Sequence, residues 1–122
     1  MSQSDLKRRT FEFAVAVFRL CRPMTQAAEA RVPVGQLIRA SASVAANYRA
    51  SCRARSKREF IAKIGTVIEE ADESLFWLEY LVATEVMAEP VVEELRSESN
   101  QLVAIFTTAQ KTARANCDSD SI

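Results

Sequence analysis

RASASVAANYRASCRARSKREFIAKIGTVIEEADESLFWLEYL, residues 39–81, is the stretch of the chain that decides the fold. Its second half repeats large apolar side chains at intervals of four and three residues, the spacing of one face of an α-helix. Its first half carries small side chains, which let a neighbouring helix approach closely. Between the halves, Ser56 and Glu59 match the S-x-x-E capping box that starts a helix. The sequence therefore predicts two long helices joined at the basic segment 53–58.

The longer of these two helices has the most regular pattern in the chain. Its predicted core seam is Phe60, Ile64, Val67, Ala71, Leu75, Leu78 and Leu81 or Val82. The other helix of the pair is predicted from about Val34 to Arg53, with Pro33 near its first turn, where a proline is tolerated.

The first helix is predicted to start with Ser4 as its N-cap and to end at Pro23, because proline and the residue before it disfavour continued helix. Its predicted core stripe is Phe11, Ala14, Val15, Phe18 and Cys21, widened by Phe13, Val17 and Leu20. A stripe this wide indicates a helix that packs into a core.

The last helix is predicted to begin at Pro90 and to end at about Arg114, and residues 116–122 are predicted to be a disordered tail. The chain has 122 residues, 2 Gly and 3 Pro, which suits one domain of long helices and not a sheet with frequent turns. We therefore predict an all-α fold, an up-down-up-down antiparallel four-helix bundle formed by residues 1–115.

Charge is divided along the chain although the formal net charge is zero. Residues 39–63 hold seven basic side chains and one acidic one, whereas residues 69–98 hold ten acidic and one basic. Such a chain could present two solvated faces of opposite sign. It could also bind an acidic partner at one end or pair head-to-tail with its own copies.

The composition excludes most catalytic sites. The chain has no His, which removes Ser-His-Asp and Cys-His pairs, His-ligated zinc and the His ligands of di-iron bundles. Glu69 and Glu73 lie one helical turn apart and could share a cation, but the neighbouring helix offers small and basic residues instead of further ligands. We predict no catalytic residue, no cofactor, no metal site and no enzymatic activity.

The three cysteines have no metal-type spacing, and no signal peptide precedes them. They predict reduced thiols in a cytoplasmic protein, with Cys21 and Cys52 as small core residues. No apolar run approaches the ~20 residues that cross a bilayer, so we expect no membrane contact.

Two groups of residues are candidate interaction sites. The junction of the two central helices could bind the phosphates of RNA or DNA, or form ion pairs with acidic helices within or between subunits. Its residues are Arg49, Arg53, Arg55, Lys57, Arg58 and Lys63. The second group, Phe76, Trp77 and Tyr80, lies partly off the core seam, where aromatic side chains either cover an end of the core or anchor a subunit contact. Asn47 is expected to form a structural hydrogen bond that fixes helix register.

Three motifs in the central pair resemble a known family. They are R-A-S-x-S-V-A-A-N-Y-R-A (39–50), R-x-R-S-K-x-E-F-I-x-K (53–63) and E-E-A-D-E-S-x-x-W-L-E-x-L (69–81). The pattern is similar to the four-helix-bundle proteins of bacterial 23S ribosomal RNA intervening sequences, and the resemblance covers roughly residues 11–108.

The resemblance implies one up-down four-helix domain that assembles into a ring, a homopentamer in known relatives, without established enzymatic activity. A related accessory protein of diversity-generating retroelements is a basic pentamer that engages reverse transcriptase and RNA. Because the charges of this chain balance, the resemblance supports the ring more than a nucleic-acid role. We predict a non-enzymatic homo-oligomeric scaffold or adaptor; the alternative is an RNA- or DNA-binding accessory protein.

Overall fold

Four α-helices build the protein in the computed structural model, which describes the backbone of residues 1–120 and the side chains of residues 1–117. No strand occurs among these residues, so the predicted all-α class is confirmed. None of the described helices is long and apolar enough to cross a membrane. The helices are α1 (Gln3–Cys21), α2 (Ala28–Ser51), α3 (Lys57–Ala83) and α4 (Glu89–Asp120), with a short 3-10 turn at Arg22–Thr25 between the first two.

Side-chain contacts give the relative direction of neighbouring helices. Arg39, in the middle of α2, binds Glu70 in the middle of α3 at 3.2 Å. Gln110 lies late in α4 and donates a hydrogen bond to the carbonyl oxygen of Ile61, early in α3, at 3.2 Å. The contact of Gln110 with Ile61 makes α3 and α4 antiparallel. The short connection 52–56, together with the contact between the middles of α2 and α3, makes that pair antiparallel as well.

The seam of α3 forms the centre of the core, as the sequence predicted. Its buried members are Ile64, Val67, Ala71, Leu78 and Leu81, while Phe60 and Leu75 are partly buried. Burying each large aliphatic side chain contributes about 1.5–3 kcal/mol relative to leaving it in water. The repeat at four and three residues thus gives the correct buried face of this helix.

The core stripe predicted for α1 is wrong at Phe11 and Phe18 and correct at Cys21. Phe11 and Phe18 keep 53% and 46% of their surface exposed. The buried face of α1 lies to one side of them and consists of Leu6, Thr10, Phe13, Val17 and Cys21. Two apolar stripes run along this helix, and its packing against α2 selects the one that spacing alone ranked second.

The start of α1 differs from the prediction by two residues. Ser2, not Ser4, is the N-cap: its Oγ accepts a hydrogen bond from the Asp5 N–H at 3.1 Å. The Asp5 carboxylate accepts in return from the Ser2 N–H, which completes a capping box. These hydrogen bonds from Ser2 lower the pKa of the Asp5 carboxyl below its ordinary value.

α2 begins at Ala28, six residues before the predicted start, so Pro33 lies inside the helix. Proline has no N–H and leaves the carbonyl four residues earlier, that of Glu29, without its intrahelical partner. Glu29 is exposed, so water can bind this carbonyl near the helix start. The proline is therefore tolerated in the second turn, which explains why reading it as a helix boundary was wrong.

The start of α3 agrees with the prediction. Ser56 is the N-cap and its Oγ accepts from the Glu59 N–H at 3.0 Å. The Glu59 carboxylate accepts from the N–H of Arg55 at 3.1 Å, one residue before the cap. The side chain of Glu59 thus satisfies a free backbone donor in the connection rather than that of Ser56, which is the partner in an ideal capping box.

α3 ends in a Schellman motif. The N–H of Val86 bonds to the carbonyl of Leu81, and that of Glu85 bonds to the carbonyl of Val82. This motif needs a left-handed residue after the helix, and Glu85 occupies that position with a φ of 66°. Glycine usually takes this role because it has no Cβ to clash.

α4 is longer than the sequence predicted. It begins at Glu89 and continues to Asp120, so the helix includes residues 116–120 of the predicted disordered tail. Residues 121 and 122 lie outside the described part of the chain. Since Gln110 lies level with Ile61 in the second turn of α3, the last residues of α4 continue past the turn that joins α2 and α3.

α3 and α4 approach closely at Gly65. A Cβ placed there would lie 3.1 Å from Nε2 of Gln110, the atom that bonds to Ile61. Glycine costs an α-helix roughly 1 kcal/mol relative to alanine. At this position it leaves room for the hydrogen bond between the two helices.

Candidate functional site

The six basic residues predicted as a binding site, Arg49, Arg53, Arg55, Lys57, Arg58 and Lys63, lie where α2 ends and α3 begins. We call this group the basic end. All are exposed except Lys63, which is half-buried. The Arg55 guanidinium lies 3.7 Å from the Glu59 carboxylate and is almost fully in water, so this ion pair is weak. The fold thus concentrates positive charge at one end of the bundle.

Two further helices bring basic residues towards the basic end. Lys7 of α1 lines the same surface cavity as Arg49. On α4, Lys111 and Arg114 are exposed and follow Gln110, which is bonded to the early part of α3. Lys7, Lys111 and Arg114 are distant in sequence from the basic end, so the charge pattern along the chain did not predict that the fold would bring them towards it.

The acidic run on α3 is partly paired with α2. Arg39 forms ion pairs with both Glu70 and Glu73. Glu73, one of the two carboxylates weighed as cation ligands, therefore has a cationic partner on the neighbouring helix. Within the described part of the chain, no group of three or more His, Cys, Asp or Glu is arranged to hold a metal ion.

Phe76, Trp77 and Tyr80 form a continuous aromatic cluster on α3, which we call the aromatic ridge. The ring centroids of Phe76 and Trp77 are 4.9 Å apart and those of Trp77 and Tyr80 are 5.3 Å apart, both pairs edge to face. Phe76 is 53% exposed and Tyr80 42% exposed. The predicted interface residues are thus brought together, with two of the three on the surface.

Trp77 connects the aromatic ridge to the interior. Its side chain packs against the hydrophobic core, and its Nε1 is buried with no hydrogen-bond partner in the described structure. The alternative in which the group covers the core therefore applies to Trp77, whereas Phe76 and Tyr80 face outward and their part in a subunit contact stays a prediction. Edge-to-face contacts with Trp77 hold the two exposed rings in place.

An apolar groove between α1 and α2 is the surface that sequence reasoning missed. It encloses about 190 Å³ and is lined by Lys7, Phe11, Ala14, Ala42, Ala45, Ala46 and Arg49. We call it the α1–α2 groove. The Arg49 guanidinium lies 6.0 Å from the centroid of the Phe11 ring, within range of a cation–π contact. The available signal was the apolar residues on more than one face of α1, which are typical of a helix covered on both sides.

Asn47 forms the structural hydrogen bonds that were predicted, but within its own helix. Its Nδ2 donates to the carbonyl oxygen of Ser43 at 3.0 Å and to the Ser43 Oγ at 2.8 Å. Because both acceptors belong to α2, these bonds do not fix the register between helices. Fixing register, the role expected for Asn47, is therefore not confirmed.

The three cysteines are free thiols, as predicted. Burial raises the pKa of the Cys21 thiol to about 11, so Cys21 stays protonated and is a poor nucleophile at neutral pH. Burial also raises the pKa of Tyr48, helped by its hydrogen bond with Cys52. The Tyr48 ring packs against Phe106 with centroids 5.0 Å apart. Both groups are therefore packing elements of the core.

Comparisons with known proteins agree on the kind of domain. A family model described as 23S rRNA-intervening sequence protein matches residues 2–108. A crystal structure of a protein with unknown function from the S23 ribosomal protein family of Bacteroides thetaiotaomicron VPI-5482 is similar over 91% of this chain and 99% of that chain. The two are 28% identical, with a TM-score of 0.84. No curated protein matches the chain.

Proposed function

Because this chain belongs to the 23S rRNA-intervening sequence protein family, we propose that it is a non-enzymatic, homo-oligomeric helical scaffold or adaptor of the cytoplasm. The family resemblance leads us to expect five copies in the assembly. The observation that carries the proposal is the presence of exposed aromatic side chains on two separate faces of one small domain. These are Phe11 and Phe18 on α1 and Phe76 and Tyr80 on α3.

Exposed aromatic clusters of this kind are typical of protein interfaces. Monomers rarely keep large apolar patches in water, whereas aromatic residues are enriched where subunits meet. On α1 the exposed face and the buried face both carry phenylalanine: Phe11 and Phe18 are exposed, and Phe13 is buried. A helix that is apolar on opposite sides is stabilised when both sides are covered, and a second copy of the chain would supply the missing cover.

The absence of enzymatic activity is supported by what the side chains can do. The chain has no His, and the buried Cys21 thiol has its pKa raised away from neutrality. The free thiols also support the cytoplasmic assignment, because reducing compartments keep cysteines unpaired.

The mass of the wild-type chain in solution tests this proposal. Sedimentation equilibrium over a range of micromolar concentrations should give a mass about five times the 13.6 kDa of one chain. A chain that stays monomeric across this range would refute the scaffold proposal.

RNA or DNA binding is a second candidate function, favoured by the basic end. Arg53, Arg55 and Arg58 are exposed there, and Lys7, Lys111 and Arg114 come towards them from two other helices. Clustered cations of this kind can neutralise phosphates without reading bases.

Fluorescence anisotropy with a labelled single-stranded RNA tests this second candidate. Affinity should fall as salt rises, with a log–log slope of about 0.7 per phosphate contact. Replacing Arg53, Arg55 and Arg58 by Glu should abolish binding, whereas Arg19→Glu on α1, outside the basic end, should leave it nearly unchanged. Binding that is absent, or equal in the two variants, would exclude this role for the basic end.

A further inference from the structure

We propose that the aromatic ridge of one copy docks into the α1–α2 groove of the next copy, so that self-association is head-to-tail. This inference rests on the proposed homo-oligomer and specifies which two surfaces form its contact. The geometry and charge of the two surfaces support it independently of the number of copies.

The two surfaces are complementary in shape. The groove is concave, and its α2 side is formed by Ala42, Ala45 and Ala46, whose short side chains leave the cavity of about 190 Å³ open. The ridge is convex, with Phe76 and Tyr80 projecting from one face of α3. Their lengths also match, since Ala42 to Arg49 on α2 spans about 11 Å and Asp72 to Tyr80 on α3 about 12 Å at the α-helical rise per residue.

The two surfaces are also complementary in charge. Lys7 and Arg49 line the groove and are both exposed. Asp72 and Glu79 are exposed on the ridge, four residues before and three residues after Phe76, and so lie on the same face of α3. From Ile64 to Leu95 the chain contains nine acidic residues and no basic one. An acidic face with apolar knobs is therefore matched to an apolar groove with a cationic rim.

Neither surface is complementary to itself. If two grooves faced each other, two cavities would meet and the cations of their rims would repel. If two ridges faced each other, Asp72 and Glu79 of one copy would lie opposite the same carboxylates of the other copy. Like charges in direct opposition disfavour an interface. The contact is therefore heterologous, joining different surfaces of two identical chains, and repetition of a heterologous contact produces a closed ring or an open filament.

The ridge is already ordered in the single chain. Trp77 packs into the core and contacts the rings of both Phe76 and Tyr80. These two rings lie 5.9 Å apart. Side chains that are fixed before binding lose less conformational entropy on association, which favours a contact made by a few aromatic anchors.

A mixing experiment with two variants tests the proposed contact. The ridge variant is Phe76→Lys with Tyr80→Ala, which removes both exposed rings and adds a positive charge that the cationic rim of the groove repels. The groove variant is Ala42→Glu with Ala46→Glu, which fills the groove and repels the acidic ridge. All four positions are exposed on helices and accept the new residues without loss of core packing, and circular dichroism verifies folding.

Each variant alone should sediment as a monomer of 13.6 kDa. An equimolar mixture should form a 1:1 heterodimer and nothing larger, because only the intact ridge of the groove variant can meet the intact groove of the ridge variant. Val91→Lys removes an exposed apolar side chain of α4 that belongs to neither the ridge nor the groove, and should keep the wild-type mass.

The possible outcomes separate this inference from the scaffold proposal. Variants that keep the wild-type oligomeric mass would overturn the proposed contact while the scaffold proposal stands. Monomeric variants whose mixture also stays monomeric would overturn the pairing of ridge with groove. A monomeric wild-type chain would refute both proposals.

Discussion

α1 and α3 both carry apolar residues on more than one face, but they occupy unequal positions in the bundle. α3 packs extensively against both α2 and α4, whereas α1 packs mainly against α2 and touches α4 much less. The seam of α3 is buried as its spacing predicts. On α1 the best-spaced aromatic residues, Phe11 and Phe18, remain at the surface.

The difference shows what helical periodicity can and cannot determine. Spacing identifies the faces of a helix that avoid water, but the number of neighbouring helices determines how many of those faces are covered. α3 packs extensively against two neighbours, whereas α1 packs extensively against α2 alone. The apolar face left over on the less surrounded helix is one of the surfaces that we propose for contact with another copy of the chain.

The sharpest way to test the contrast between the faces of α1 is to remove one phenylalanine from each. Phe13 is buried, so Phe13→Ala should destabilise the fold by about 3–5 kcal/mol. Phe11 is half in water, and Phe11→Ala should change monomer stability by no more than about 0.5 kcal/mol. Urea unfolding at low protein concentration measures both, and equal losses would contradict the assignment of inner and outer faces.

The weaker attachment of α1 to α4 can be tested through one ion pair. The Arg9 guanidinium donates to both oxygens of Glu98 at 2.6 and 2.7 Å, and this bidentate contact raises the pKa of Arg9. Arg9→Met and Glu98→Gln should show a coupling of about 1–2 kcal/mol in a double-mutant cycle. Arg8→Met, which removes only exposed ion pairs within α1, should have no measurable effect; a similar loss for Arg8 would contradict the role given to Arg9.

α3 and α4 each contain a fully buried serine, Ser74 and Ser99. Ser74 on α3 donates to the carbonyl of Glu70 at 2.9 Å, whereas the Ser99 Oγ on α4 has no partner in the described structure. Ser99→Ala should therefore stabilise the fold by about 1 kcal/mol, since it removes an unpaired hydroxyl and adds a better helix former. Ser74→Ala should give no such gain, and thermal unfolding that ranks the two in reverse order would contradict this account.

Substitutions at the C-terminal end of α3, which differs from that of α1, should have the smallest effect on stability. α1 continues from Cys21 into a right-handed turn, with φ of −50° at Arg22, while α3 stops at Glu85 with positive φ. Glu85→Gly should raise stability by about 0.5–1 kcal/mol because glycine adopts that conformation without a Cβ clash. Thr84→Gly, one residue earlier with φ of −88°, should lower the midpoint of thermal unfolding instead. A loss of stability in Glu85→Gly would show that its side chain has a role beyond the turn.

Local signals in the sequence were sufficient to predict the start and the buried face of α3. The cap at Ser56 and the long apolar repeat of α3 act within a few residues, so both could be predicted. The position of Pro33 inside α2 could not be predicted, because the carbonyl that it leaves without a partner belongs to exposed Glu29 in the first turn, so a proline in the second turn is tolerated. For the α1–α2 groove the sequence indicated only a second apolar face on α1; its lining could not be predicted, since Phe11 and Ala45 become neighbours through tertiary packing.

The close approach at Gly65 has a consequence for how the chain can vary. A side chain at position 65 and the hydrogen bond from Gln110 to Ile61 compete for the same space. Positions 65 and 110 should therefore change together among related proteins, with a larger residue at 65 accompanied by a shorter one at 110. Two positions that are 45 residues apart in the chain would then be inherited as a pair, and their covariation would show which residues of α3 and α4 lie side by side.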